Sequence, residues 1–146
     1  MSRRIVHPSD FSSASGAAFR KAIEMAKADR AELMIVNVIA PIVPIAGDGY
    51  LSPKMYEDLR ASATAWSRKQ LQKLVAKAKQ GRVRAKGFIL EGPAPEQIIR
   101  FAKSKRADMV VMGTHGRSGF QKLLLGSVAG RVVSGARCPV MTVHGK

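Results

Sequence analysis

The sequence predicts an α/β fold, a doubly wound, mostly parallel five-stranded sheet with helices on both faces. Three observations carry this. Short apolar runs alternate with segments of helical period along the chain, the order expected of successive βα units. The run Leu33 to Val36, continued by Val38 and Ile39 with Asn37 inside it, is nearly all apolar, the mark of a strand covered on both faces as parallel strands are. The length of 146 residues, with 46% hydrophobic and 24% charged residues, suits one globular domain over residues 1–146.

The elements follow in order. Residues 3–9 form a short apolar-centred strand, and Asp10, Ser12, Ser13 and Ser15 after it supply N-cap candidates for a helix. Ala18, Phe19, Ala22, Ile23 and Ala26 then recur at helical spacing up to about Lys27, opposite charged Arg20, Lys21 and Glu24. The second strand is the run from Leu33 to Ile39. Pro41, Pro44, Gly47, Gly49 and Pro53 mark a flexible connection that could serve as a lid. Met55, Leu59, Ala63, Trp66, Leu71, Leu74 and Ala78 trace one face of a long helix ending before Gly81, and Trp66 is expected in the core. Residues 83–90 read as a third strand near a sheet edge. A helix follows, with Pro95 in its first turn and Lys103, Lys105 and Arg106 at its C-terminal end, where cations suit the helix dipole. Met109 to Met112 form a fourth strand running into a glycine-rich loop. Ser127 to Val133 suggest a short helix weakened by Gly130, and Val140 to Val143 a last strand.

Composition narrows the function. No apolar run approaches the roughly 20 residues of a membrane helix, and Met-Ser-Arg-Arg leads into a strand-like segment rather than a signal core, so a cytoplasmic protein with no membrane role is expected. Cys138 has no second cysteine to pair with and reads as a buried structural thiol. Twenty-five Lys and Arg against ten Asp and Glu give a net charge of +15, which favours a polyanionic or phosphate-bearing partner. Between Asp58 and Glu91 there is no acid, while Arg60, Arg68, Lys69, Lys73, Lys77, Lys79, Arg82, Arg84 and Lys86 all fall in that interval. This stripe reads first as a solvated helix face and second as a nucleic-acid surface, a partner not favoured because few aromatics interleave with the charge.

In an open doubly wound sheet, ligands bind outside the carboxyl ends of the strands where strand order reverses. Two such segments stand out: Pro8, Ser9 and Asp10 after the first strand, and residues 113–127 after the fourth. Gly113 and Gly116 permit positive φ and leave no Cβ in the way of an anion. Gly126 and Ser127 start a helix whose free N–H groups and positive dipole end suit a phosphate, with the Ser127 hydroxyl as a further donor. The lysine-bearing phosphate loop GxxxxGK[ST] and the dinucleotide fingerprint GxGxxG are both absent. His7 and His144 lack the spacing of a metal site.

The spacing Gly113, two residues, Gly116, nine residues, Gly126, Ser127 resembles the nucleotide-binding signature of the universal stress protein family, in its ATP-binding branch. The strand ending at Asp10, Val38 near the end of the second strand, the Leu-Leu-Leu-Gly-Ser-Val run and the closing Cys-Pro-Val segment are similar to that family too, so the resemblance spans essentially the whole chain. It implies a Rossmann-like fold of the adenine nucleotide alpha hydrolase type and a homodimer, for which the unpaired edge of Val140 to Val143 gives a local reason. It implies ATP as ligand, with or without Mg2+, in a nucleotide-dependent stress-response or signalling module. Pro8, Ser9, Asp10 and Val38 would surround adenine and ribose, Gly113, His115, Gly116, Gly126, Ser127 and Val128 would hold ribose and phosphates, and Met112 belongs to the same binding set. Asp10 reads equally as a helix cap, Val38 as core and His115 as a solvated side chain. Turnover stays open: Arg117, Lys122 and Arg131 offer charge near the loop, but Asp108 is the sole acid after Glu96, so binding with little or no hydrolysis fits better than an efficient ATPase. A slow ATPase and a polyanion-binding module built on residues 60–86 are the alternatives.

Overall fold

The computed structural model describes residues 3–41, 52–115 and 125–145. Among these residues nine elements follow in chain order: β1 (Arg4–Pro8), α1 (Ser13–Asp29), β2 (Glu32–Ile39), α2 (Pro53–Gln80), β3 (Ala85–Glu91), α3 (Ala94–Ser104), β4 (Met109–Gly113), α4 (Ser127–Gly135) and β5 (Val140–Val143). The strands form one sheet in the order β3-β2-β1-β4-β5, and every pairing in it is parallel. The chain winds outward from β1 through β2 to β3, then crosses back to β4 beside β1. Strand order therefore reverses between β1 and β4, and in an open sheet of this kind the space above their carboxyl ends is where a ligand crevice is expected. Both β3 and β5 lie at edges, as their patterns predict.

Alternation along each central strand divides the core in two. Ile5, Leu33, Ile35 and Val111 face α1 and α2, where Phe19, Ala22, Ala26, Leu71 and Ala78 meet them. Val6, Met34, Val36, Val110 and Met112 face the other way, against Ile98, Phe101 and Ala102 of α3 and Ala129 and Val132 of α4. Both faces of β1, β2 and β4 are thus covered, which is why their sequences are apolar in runs rather than in alternation. Among the described residues no helix is long and apolar enough to cross a membrane.

One expected core residue is not in the core. Trp66 is 47% exposed, as are Leu59 at 48% and Met55 at 49%. Helix length explains it. The 28 residues of α2 span about 42 Å at 1.5 Å each, whereas the eight residues of β2 cover about 26 Å. The N-terminal half of α2 overhangs the carboxyl edge of the sheet, and burial resumes at Ser67, Leu71 and Ala78. Trp66 instead meets Phe11 edge-on, with ring centroids 5.4 Å apart. Cys138 also departs from expectation: it is half-buried, packed against the second cluster, and burial raises its thiol pKa. The connection over 42–51 and residues 116–124 of the glycine-rich loop, including Gly116, Arg117 and Lys122, lie outside the described residues.

Candidate functional site

β1 ends on buried Pro8, and the chain turns at once. Ser9 donates its N–H to the Val36 carbonyl at 2.8 Å and its carbonyl accepts from Asn37 Nδ2 at 2.8 Å, so the turn is fastened to β2. Asn37 Oδ1 accepts in turn from the Ser67 hydroxyl of α2 at 2.8 Å. Ser67 is 1% exposed, and this chain of bonds fixes the overhanging helix relative to the ends of β1 and β2. Asn37 interrupts an otherwise apolar strand, a signal that a polar partner is buried beside it. Ser67 carried no such signal.

Asp10 Oδ1 accepts from the Ser12 N–H at 2.9 Å, while Ser12 itself is the N-cap of α1 and its hydroxyl accepts from the Ser15 N–H. Asp10 therefore supports the cap from two residues upstream rather than being the cap. Between them Phe11 takes φ 64°, a left-handed conformation costly for a residue with a Cβ. The Phe11 N–H donates to Ser9 Oγ at 3.0 Å, and the Trp66 contact holds its ring.

Across the crevice β4 ends at Gly113. Its φ is not positive: Gly92 is the one glycine among the described residues in that region, so the freedom of φ expected at Gly113 is not used. A Cβ here would lie 3.8 Å from the Ala14 carbonyl and 3.9 Å from Ser15 Cα at the start of α1, ordinary contact distances, so the described backbone would also accept a side chain at this position. Thr114 follows, and its carbonyl accepts from the Gly126 N–H at 2.7 Å, joining the two ends of the glycine-rich loop at its base. A Cβ on Gly126 would stand 2.8 Å from that same carbonyl oxygen, so only glycine allows the closure.

Beyond Gly126 comes α4, and its N-terminus differs from the others. Gly126 offers no side chain to cap it, there is no acid in its first turn and Ser127, its first residue, is exposed. No described side chain caps its first amides, where the positive end of the helix dipole lies. Val128 is half-buried and rests on the second cluster, as do Val38 from β2 and buried Met112 from β4, so these three are walls of apolar character.

A cluster of two histidines borders the crevice. Thr114 Oγ1 lies 3.0 Å from His115 Nδ1 and 3.4 Å from His144 Nδ1, with the two rings edge-to-face at 6.0 Å. His115 Nε2 is buried without a hydrogen-bond partner. His144 and Thr114 reach the site because β5 pairs with β4, which brings the end of the chain beside the loop. His7, by contrast, is fully buried under α1. Its Nδ1 donates to the Val111 carbonyl at 2.9 Å, and desolvation by burial, above all, lowers its pKa to about 4. Of the cations expected near the loop, Arg131 is engaged by Glu96 of α3. Asp108 accepts from the Arg4 N–H at the amino end of the sheet, far from the crevice. No group of three or more metal-ligating side chains exists among the described residues.

A model of the universal stress protein family matches residues 1–144. The chain belongs to the universal stress protein family. A member from Methanocaldococcus jannaschii, universal stress protein MJ0531, is 36% identical over 143 residues, which cover 97% of this chain and 81% of that one. Among solved structures, that of protein MJ0577 from the same organism superposes with a TM-score of 0.86 at 23% identity, covering 100% of this chain and 98% of that one. A universal stress protein family protein from Arabidopsis thaliana with AMP bound superposes with a TM-score of 0.69 at 22% identity, covering 99% and 92%. At these identities the structures bear on the fold, and the α/β sheet found here is that of the universal stress proteins.

Proposed function

We propose that residues 1–146 form one universal stress protein domain that binds an adenine nucleotide, ATP with or without Mg2+, at the crevice between β1 and β4. The observation that carries this reading is the bare N-terminus of α4, opened onto the point where strand order reverses and joined to the glycine-rich loop through Gly126. A helix start with free amides and no competing acid stabilises an anion, and a loop base that admits no Cβ lets backbone approach it closely. Gly126, Ser127 and Val128, with Gly113, His115 and Gly116, contact ribose and phosphates; Pro8, Ser9, Asp10, Val38 and Met112 enclose adenine and ribose. The Ser9 N–H is spent on Val36, so Ser9 serves as a wall and through its carbonyl. The AMP bound by the Arabidopsis protein supports the class of ligand.

Mg2+, when bound, supplies charge neutralisation between phosphate oxygens; Ser127 is the side chain that would reach it. Turnover is little or none on this reading, because Glu96 is engaged by Arg131 and Asp108 sits at the far end of the sheet. The protein acts instead as a cytoplasmic, nucleotide-dependent module in stress response or signalling. It pairs through β5, whose outer side is an edge, into a homodimer. Calorimetry with ATP on the full chain tests the binding claim: saturable binding that Gly126→Val removes is the expected result, and unchanged affinity in that variant removes the loop from the mechanism.

A further inference from the structure

The opposite end of the sheet carries a second surface. β3 pairs with β2 on one side, and among the described residues no strand covers its other side, which leaves a seven-residue edge of backbone donors and acceptors. Beside this edge, α2 leaves a groove of about 670 Å3, floored by Leu71, Val75, Gly87 and Ile89 and rimmed by Arg68 and Lys79. Gly87 shapes it: a Cβ there would come 3.2 Å from Leu71 Cβ, so α2 lies close to the strand and no side chain fills the space. On the other face of β3, Lys105 holds its ammonium 5.3 Å from the centre of the Phe88 ring.

The charges select what fits. Residues 59–90 contain no Asp or Glu. Lys86 is paired with Glu32 and Glu91 with Arg60, whereas Arg68, Lys79 and Lys105 have no carboxylate partner among the described residues. Cations therefore flank the edge on both faces, each beside apolar surface. A strand added to this edge alternates its side chains between those faces, one set over the groove and the next over Phe88. A second copy of this chain would set like charges against one another across the new pair.

We propose that the outer edge of β3 takes an extended, acidic segment of a partner protein as a sixth strand, its acidic residues meeting Arg68, Lys79 and Lys105 and its apolar residues covering the groove and Phe88. This surface lies at the end of the sheet, two strands from β1, and does not depend on the nucleotide reading.

The test uses the full chain and a fluorescein-labelled octapeptide of two Val-Val-Glu-Glu repeats, which as a strand presents valine and glutamate on each face, followed by anisotropy at about 150 mM salt, where weak surface attraction is largely screened. Expected are affinity at least tenfold above that of the valine–lysine octapeptide, a tenfold loss in the double variant Arg68→Glu, Lys79→Glu, and slowed hydrogen exchange at outward amides of residues 85–91. The same peptide N-methylated at every second residue keeps its charge and loses the backbone bonds, so it should bind at least tenfold more weakly. Equal binding of the N-methylated peptide, protection that misses β3, or tighter binding by a single-stranded oligonucleotide of equal charge would overturn the proposal.

Discussion

Two helix starts face each other across the crevice, and they are finished in opposite ways. At α1 the Ser12 hydroxyl caps the first turn, Asp10 accepts the Ser12 N–H and Ser15 Oγ donates to the Ser12 carbonyl, so the polar groups of the turn are satisfied within the chain. At α4 the cap position is Gly126, no described side chain caps the first amides and no acid sits in the first turn. Of the other two starts, α2 is capped by Ser52, while α3 has no side-chain cap but begins with prolines and carries an acid, Glu96, in its first turn, which α4 lacks. A helix end completed by its own residues is architecture. One left without a cap at a topological switch point suits an anion, as the proposed nucleotide site requires.

The largest effect that separates the two sides concerns stability in acid. His7 lies on the α1 face, and its pKa in the folded protein is about 4 against 6.5 when unfolded. The unfolded chain takes up the proton first, so stability is complete above pH 6.5 and falls as pH drops toward 4, by up to about 3 kcal/mol. His7→Phe should flatten urea-unfolding midpoints across that window; a slope that survives the substitution would place the titrating group elsewhere.

Gly126→Val comes next. Its side chain meets the Thr114 carbonyl, and we expect nucleotide affinity to fall by at least about 100-fold, near 2.7 kcal/mol. Ser127→Asp sharpens the contrast, because its two effects have opposite signs. A carboxylate at the first position of α4 should stabilise the helix by about 0.5 kcal/mol through the dipole while repelling phosphate, with affinity reduced about 30-fold. Loss of stability together with unchanged binding would mean that α4 is not open to the ligand. The smallest effect is on the closed side: Ser12→Ala should cost about 1 kcal/mol of stability and leave nucleotide affinity within twofold.

Much of this was legible in the sequence because periodicity reports burial. The apolar runs at Ile5–Val6, Leu33–Val36 and Val110–Met112 are the three strands covered on both faces, and the partly alternating pattern of β3 marks an edge. The glycine spacing marked the loop, yet Gly113 does not take positive φ and has room for a Cβ, whereas at Gly126 the close Thr114 carbonyl requires glycine. Trp66 was misplaced because helical period says which face a residue occupies and not whether a sheet lies beneath it. His144 and Ser67 were invisible for a topological reason: each reaches the crevice through an element distant in sequence, β5 beside β4 and α2 above β2.

The central claim is that the amides at the start of α4 receive the phosphate oxygens. Amide chemical shifts recorded during an ATP titration address it residue by residue. The account predicts that Ser127, Val128 and Ala129 move most, and that Ser13 to Gly16 at the start of α1 move little. Largest shifts at α1, or none at residues 127–129, would contradict it.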